Sequence, residues 1–212
     1  QFVKSIAFKN KLKLINEQSP KGKILDIGAG VGDFLAVCKN DGWHTVGIEP
    51  SEKAKAIAIQ KGVSFVNDLA SLENNSFDII TMWHVLEHVP NLEEYISELK
   101  RLIKPNGTII IAVPNFNSFD ANYYGKFWAA YDVPIHLWHF SKTAIAKLFA
   151  PQKLKLQKVL PMKFDSFYVS LLSEKYKNGK MNYPKAFWIG WKSNRYGKRN
   201  FEYSSHIYIL KN

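Results

Sequence analysis

Apolar residues along this chain come in short runs separated by stretches with helical spacing. Residues 23–27, 45–49, 63–66, 76–82 and 108–113 read as buried strands, bounded by Gly, Pro, Asn or Asp. Between them lie predicted helices. One runs from the glycines after residue 27 to Asp41-Gly42. Another covers 51–61, with Ala54, Ile57 and Ala58 inward and Gly62 as its stop. A third opens at Asn91, with Glu94 three residues on. It carries Leu92, Tyr95, Ile96, Leu99, Leu102 and Ile103 on one face and ends at residues 104–107. Strands alternating with helices predict an α/β fold with a parallel, doubly wound sheet. Residues 1–20 read as a basic, partly amphipathic helix that either lies across the mouth of a site or caps the sheet. Further on, a helix is expected at 141–149 with Ser141 as N-cap, and strands at 154–160 and 205–210. Between those strands the pattern gives a helix over about 166–175 and then a basic, aromatic linker.

The candidate chemistry begins where the first strand ends. Asp26 is followed by Gly28, Ala29, Gly30 and Gly32, then Asp33. A glycine turn of this kind lets a ligand approach the main chain closely. Dinucleotides use G-x-G-x-x-G, with the pyrophosphate on the helix N-terminus. Here the third glycine falls one place early, and two carboxylates flank the turn. They suit a ligand with a cationic end and no phosphate, such as S-adenosyl-L-methionine (SAM). Glu49 closes the second strand 23 residues after Asp26, placed to accept from both ribose hydroxyls; with Ser51 behind it, it also fits a helix N-terminal charge. An NAD(P) dehydrogenase is the rival on the same fold, disfavoured by Gly32 and Asp26.

Asp26-x-Gly28-x-Gly30-x-Gly32 resembles motif I of the class I SAM-dependent methyltransferases. The series Leu86-Glu87-His88-Val89, Lys104-Pro105-Asn106-Gly107 and Val113-Pro114-Asn115 is similar to the subfamily that includes the ubiquinone-biosynthesis O-methyltransferases. The resemblance covers roughly residues 20–145. It implies a Rossmann-like, seven-stranded sheet, mostly parallel, with the last two strands as an antiparallel edge hairpin. It implies SAM as cofactor and S-adenosyl-L-homocysteine as product. The cofactor set it implies is Asp26, Gly28, Ala29, Gly30, Gly32, Glu49, Pro50, Asp68, Leu69, Trp83 and His84. Asp68 and the backbone of Leu69 would hold adenine, and Trp83 would pack against the adenosine or the methionine chain.

Methyl transfer from a sulfonium needs alignment and a dry site; a base matters only for a protonated acceptor. His84 and His136 are the candidate bases, and His139 reads as structural. His84, Glu87 and His88 share a face if that stretch is helical. Some relatives hold a divalent metal with a Glu/His set near this position, where glutamate typically stands in place of His84. Glu87 and His88 are thus secondary metal candidates, better suited to a transition metal than to magnesium. Residues 117–141 form a long aromatic insert, placed to cover the acceptor.

The 212-residue length fits one domain with a real core. No apolar run is long enough to span a bilayer, and no basic-then-apolar signal segment opens the chain, which begins at Gln1 and so is compatible with residues upstream. Cys38 is the single cysteine, which excludes an internal disulfide and suits a reducing, cytoplasmic setting. Charge is lopsided: residues 1–150 have 16 Lys+Arg against 15 Asp+Glu, whereas residues 151–212 have 13 against 3. Basic residues interleaved with aromatics suit an anionic membrane surface or RNA. The expected function is methyl transfer to an oxygen or nitrogen of a small acceptor, with a lipid-linked molecule as one option. The alternatives are an RNA methyltransferase and a non-catalytic SAM- or nucleic-acid-binding module. Oligomeric state is not legible.

Overall fold

β1 (Lys23–Ile27) is the axis of the molecule: four of its five residues are buried, and it pairs in parallel with a strand on each side. The computed structural model describes residues 2–212, with side chains from Ser5 onward; Gln1, where the predicted first helix starts, lies outside them. α1 (Phe2–Asn16) precedes β1. Then come α2 (Asp33–Asn40), β2 (His44–Ile48), α3 (Glu52–Gln60), β3 (Ser64–Phe65), β4 (Phe77–Trp83) and α4 (Leu92–Leu102). β5 (Ile103–Pro114) follows, then α5 (Phe119–Tyr124), α6 (Lys142–Phe149), β6 (Lys155–Pro161), α7 (Asp165–Asn178), α8 (Tyr183–Asn200) and β7 (Ser205–Lys211). The strand order is β3-β2-β1-β4-β5-β7-β6. β7 runs antiparallel to both β5 and β6, so the sheet is mostly parallel with an antiparallel edge, as expected.

Most boundaries agree with the apolar pattern to within a residue or two. The capping expectations hold at Ser51 and Ser141, whose hydroxyls accept from the backbone N–H groups of Ala54 and Ala144. At Asn91 the side chain bonds Glu94 instead of the helix backbone. β5 starts earlier than predicted, at Ile103, and takes in Lys104 to Gly107. One apolar cluster joins β1, β4, β5 and α4, and a second packs α1 and α2 on the other face through Ile15, Phe34 and Leu35. Among the described residues no helix is long and apolar enough to cross a membrane.

The larger departure lies in the last third. The expected linker is an 18-residue helix, α8. Its buried side is made of Ala186, Ile189, Gly190, Ser193 and Gly197, so small residues outnumber the single large apolar one, Ile189. A Cβ at Gly190 would stand 2.9 Å from the Phe167 Cα, so only glycine permits the approach of α7 to α8. The buried side of α7 includes Ser166, Ser170, Ser173 and Glu174. Close, small-residue packing needs internal polar partners, and the structure supplies them. The buried Asp120 accepts from Trp128 Nε1 (2.8 Å), Ser193 Oγ (2.5 Å) and Ser204 Oγ (2.7 Å). Glu174 accepts from Tyr124 and Asn178. The aromatic insert is therefore only partly a cover: Tyr124 and Trp128 are the core of a third cluster with α7 and α8.

Candidate active site

Crossover connections leave the carboxyl ends of β1, β2 and β4 open at one edge of the sheet, where open α/β folds bind ligands. β1 ends in Asp26-Ile27 and turns through Gly28 and Gly30, both at positive φ (75° and 53°). A Cβ on Gly28 would come within 2.4 Å of Val85, whereas one on Gly30 would meet nothing within 4 Å. Gly30 thus faces open space at the cavity edge. Its N–H donates to Glu49 Oε2 at 2.8 Å, and the Ser51 N–H donates to Oε1 at 3.0 Å. Glu49 is therefore fixed at the tip of β2 and half-exposed, with the exposed Pro50 beside it. Ala29 is tied to β2 through the carbonyl of Ile48. Asp68 is exposed and accepts from the Ser71 N–H, while Leu69 packs its side chain into the core and its carbonyl accepts from Arg101 at 2.8 Å.

Asp26 is buried and accepts from Thr81 Oγ1 at 2.6 Å. Burial pushes its pKa up to about 7; the Thr81 hydroxyl and Lys11 pull the other way. A cavity of about 230 Å³ opens beside it, lined by Lys11, Asp26, Gly28, Ala29, Phe34 and Trp83 among others. Lys11 was not legible as a site residue. It reaches in from α1, with Nζ 4.0 Å from the Trp83 ring centroid, and burial lowers its pKa. The sequence signal was the basic first helix, read as crossing the mouth of a site or capping the sheet; in the structure its Phe8 and Lys11 line this cavity. The Trp83 indole N–H is buried without a partner. Asp33, counted in the sequence as a second acid at the turn, is neutralised by an ion pair with Lys61. The cleft is thus lined by one carboxyl, Asp26, and one amine, Lys11, each pushed by burial toward its neutral form.

A second cavity of about 400 Å³ lies past the end of β4 and is lined by His84, Glu87, Ala130, His136, Asp165 and Leu172 among others. Trp83 walls the first cavity and its neighbour His84 walls the second. His84 sits at φ 57°, a left-handed conformation that is uncommon outside glycine. Its Nε2 is 2.9 Å from Asp165 Oδ2 and its Nδ1 is 3.3 Å from Glu87 Oε1. Burial alone would lower the His84 pKa, but the two carboxylates outweigh it and push the ring up to about 10. A doubly held imidazolium has no free electron pair, so the expectation that His84 serves as a base gives way to a positioning role.

His136 is arranged differently. Its Nδ1 is 2.8 Å from the Ala130 carbonyl, to which only an N–H can donate, so in the neutral ring the lone pair is on Nε2, 4.0 Å from Asp132 Oδ2. His88 Nδ1 likewise faces the Ile135 carbonyl at 3.2 Å. Glu87, His88 and His136 bring ligand atoms within 4.8 Å of one another, and Glu87 Oε2 is buried without a partner. One carboxylate and two imidazoles fit a transition metal; His84, occupied on both nitrogens, is not of the set. His139 donates from Nε2 to the Tyr131 carbonyl and packs on that ring, a structural role.

These features define a class: a Rossmann-like fold of the SAM-dependent methyltransferase type. A methyltransferase-domain family model matches residues 2–159, and the chain belongs to that family of SAM-dependent enzymes. The ubiquinone biosynthesis O-methyltransferase of Hahella chejuensis is 31% identical over 119 residues, covering 50% of each chain. That of Rickettsia typhi is 33% identical over 113 residues, covering 50% of this chain and 46% of its own. The chain thus spans about half the length of the curated relatives it matches. Among solved structures, a SAM-dependent methyltransferase from Thermotoga maritima, described as a possible histamine N-methyltransferase, superposes with a TM-score of 0.66 at 21% identity, over 97% of this chain and 88% of its own. One from Archaeoglobus fulgidus gives 0.67 at 18% identity, over 98% and 94%. At those identities they establish the fold.

Proposed function

We propose that the chain transfers a methyl group from SAM to an oxygen or nitrogen of a small acceptor bound in the cavity beyond β4. The observation that carries this reading is the adjacency of Trp83 and His84: consecutive residues wall two different cavities, so a donor in one meets an acceptor in the other. Asp26 faces the cofactor's ammonium, Gly28 to Gly30 approach its methionine chain, and Glu49 takes the ribose hydroxyls. Lys11 and the free Trp83 N–H are suited to its carboxylate. Asp68 and the Leu69 backbone border the adenine. The name of the Hahella relative supports an oxygen acceptor. His136 Nε2 would accept the acceptor's proton as the methyl moves. A lipid-linked acceptor, and contact of residues 151–212 with an anionic surface, belong to the same reading.

A second reading of the proton step rests on Glu87 Oε2, buried and without a partner. Glu87, His88 and His136 would hold a transition metal, which would supply Lewis-acid activation of an acceptor hydroxyl. Calorimetry with SAM and S-adenosylhomocysteine tests the cofactor site. Saturable binding that Glu49→Ala abolishes, with an unchanged melting temperature, is the expected result. No uptake of either nucleoside by folded protein would overturn it.

A further inference from the structure

We infer that the outward face of α8 is a docking surface for an anionic phospholipid bilayer. Its purpose, delivery of a lipid-linked acceptor, rests on the methyltransferase reading above. α8 is built inside out. Its small residues face the protein, while Phe187 is 64% and Trp188 51% exposed, and Tyr183 and Trp191 are exposed beside them. These large aromatics, of which Phe187 also stacks on Phe167 of α7, leave an exposed patch at the amino-terminal half of the helix. Lys192, Arg195, Lys198 and Arg199 follow in the carboxyl-terminal half. This is the composition of a helix lying in a headgroup layer, with rings at the acyl boundary and cations on phosphates.

The charges make the same point. All three acids of residues 151–212 are engaged internally: Asp165 with His84, Glu174 with Tyr124, Asn178 and Lys185, and Glu202 with Lys142. Among the described residues, Lys185 is the one Lys or Arg of that stretch in an ion pair. A groove of about 600 Å³, lined by Lys163, Trp191, Arg195, Lys198, Arg199 and Tyr203 together with Asn194, lies along the cationic half. Its cations lack acidic partners, so it is complementary to phosphate.

The aromatics favour a lipid surface over RNA. Base stacking needs a free ring face. The Trp188 and Trp191 rings stack on each other at 5.1 Å, Lys192 stands over Trp188, and Arg195 stands over Trp191. The faces are already engaged. The patch also continues toward the acceptor cavity. Lys163 joins the groove to the neighbouring cavity that Asp165 lines, and the exposed Tyr168 rims the acceptor cavity itself.

The test is co-sedimentation of the full chain with vesicles of phosphatidylcholine alone and of phosphatidylcholine with phosphatidylglycerol. Partitioning onto the anionic vesicles, weakened by salt and accompanied by a blue shift of tryptophan emission, is expected. Lys198→Gln with Arg199→Gln should lower it on the order of tenfold or more. Trp188→Ser with Trp191→Ser should abolish the shift. Both pairs are surface changes, and SAM affinity and melting temperature should not move. Equal binding to both vesicle types, no binding to either, or capture of single-stranded RNA in preference to vesicles would overturn the proposal. Partitioning that persists in a sample unable to bind SAM would uphold docking while sinking the cofactor reading.

Discussion

His84 Nε2 lies 2.9 Å from Asp165 Oδ2, so the carboxyl end of β4 is latched to the first turn of α7. The contact joins residues 81 positions apart, and both of them line the cavity past the end of β4. It also decides a chemical question. An imidazole held between Asp165 and Glu87 is cationic at neutral pH, and its strained backbone is fixed by that pairing. On the proposed reading His84 would therefore be a positioning residue, with His136 as the candidate base.

The latch has a pH signature. A histidine raised from its ordinary value to about 10 adds stability that is fully present below the ordinary value and is lost as pH rises through about 10. The melting temperature of the native chain should fall across that alkaline window. Asp165→Asn should lower it at neutral pH and flatten the fall. Parallel curves for the two proteins would show that the pairing does not form.

Asp26 makes cofactor affinity pH-dependent in the opposite sense. Burial raises its carboxyl to about 7 in the free protein, while an incoming ammonium favours the charged form. SAM affinity should rise with pH up to about 7 and level off above it, with a limiting slope of about tenfold per pH unit below. Asp26→Asn should bind more weakly and lose the slope. A pH-independent dissociation constant in the native protein would remove Asp26 from the site.

The two glycines of the turn separate folding from binding. Gly28→Ala drives a Cβ into Val85 at 2.4 Å, and should destabilise the fold. Gly30→Ala meets nothing within the protein, so it should cost only about 1–2 kcal/mol of left-handed strain. On the proposed cofactor pose, that open space is where the methionine chain would pass. A modest drop in melting temperature with a large loss of SAM affinity is expected. Retained affinity would place the cofactor elsewhere.

The sheet was legible because its strands are near-continuous apolar runs ended by punctuating residues. The Asp26–Gly32 turn and Glu49 were legible because their spacing carries a mechanism. α8 was not: apart from Ile189 its inward face is Ala, Gly and Ser, and its aromatic residues are exposed, so the usual apolar stripe is absent. Lys11 was hidden for another reason. Its role comes from where α1 crosses the sheet, which no local pattern encodes. The state of His84 was equally invisible, since Asp165 approaches it only after α7 docks. Sequence spacing put His84, Glu87 and His88 together, whereas the structure groups Glu87 and His88 with His136 from the insert.

That regrouping leads to the last prediction. With Nδ1 donating to Ala130, His136 offers Nε2 either to an acceptor's proton or to a metal. The two uses separate experimentally. If His136 is a base alone, His136→Gln should lower kcat by about two to four orders of magnitude on any acceptor that supports turnover, leaving the KM for SAM in place. Chelator treatment should then leave the native rate untouched. If the metal reading holds, zinc or manganese should bind with one-to-one stoichiometry in calorimetry. Glu87→Gln, His88→Gln and His136→Gln should each weaken that binding, and the chelator should mimic all three. Glu87 is the informative residue: its Oε1 faces His84, so Glu87→Gln disturbs that pairing with or without a metal, whereas lost metal uptake in calorimetry follows only if its buried Oε2, without a hydrogen-bond partner among the described residues, is a ligand.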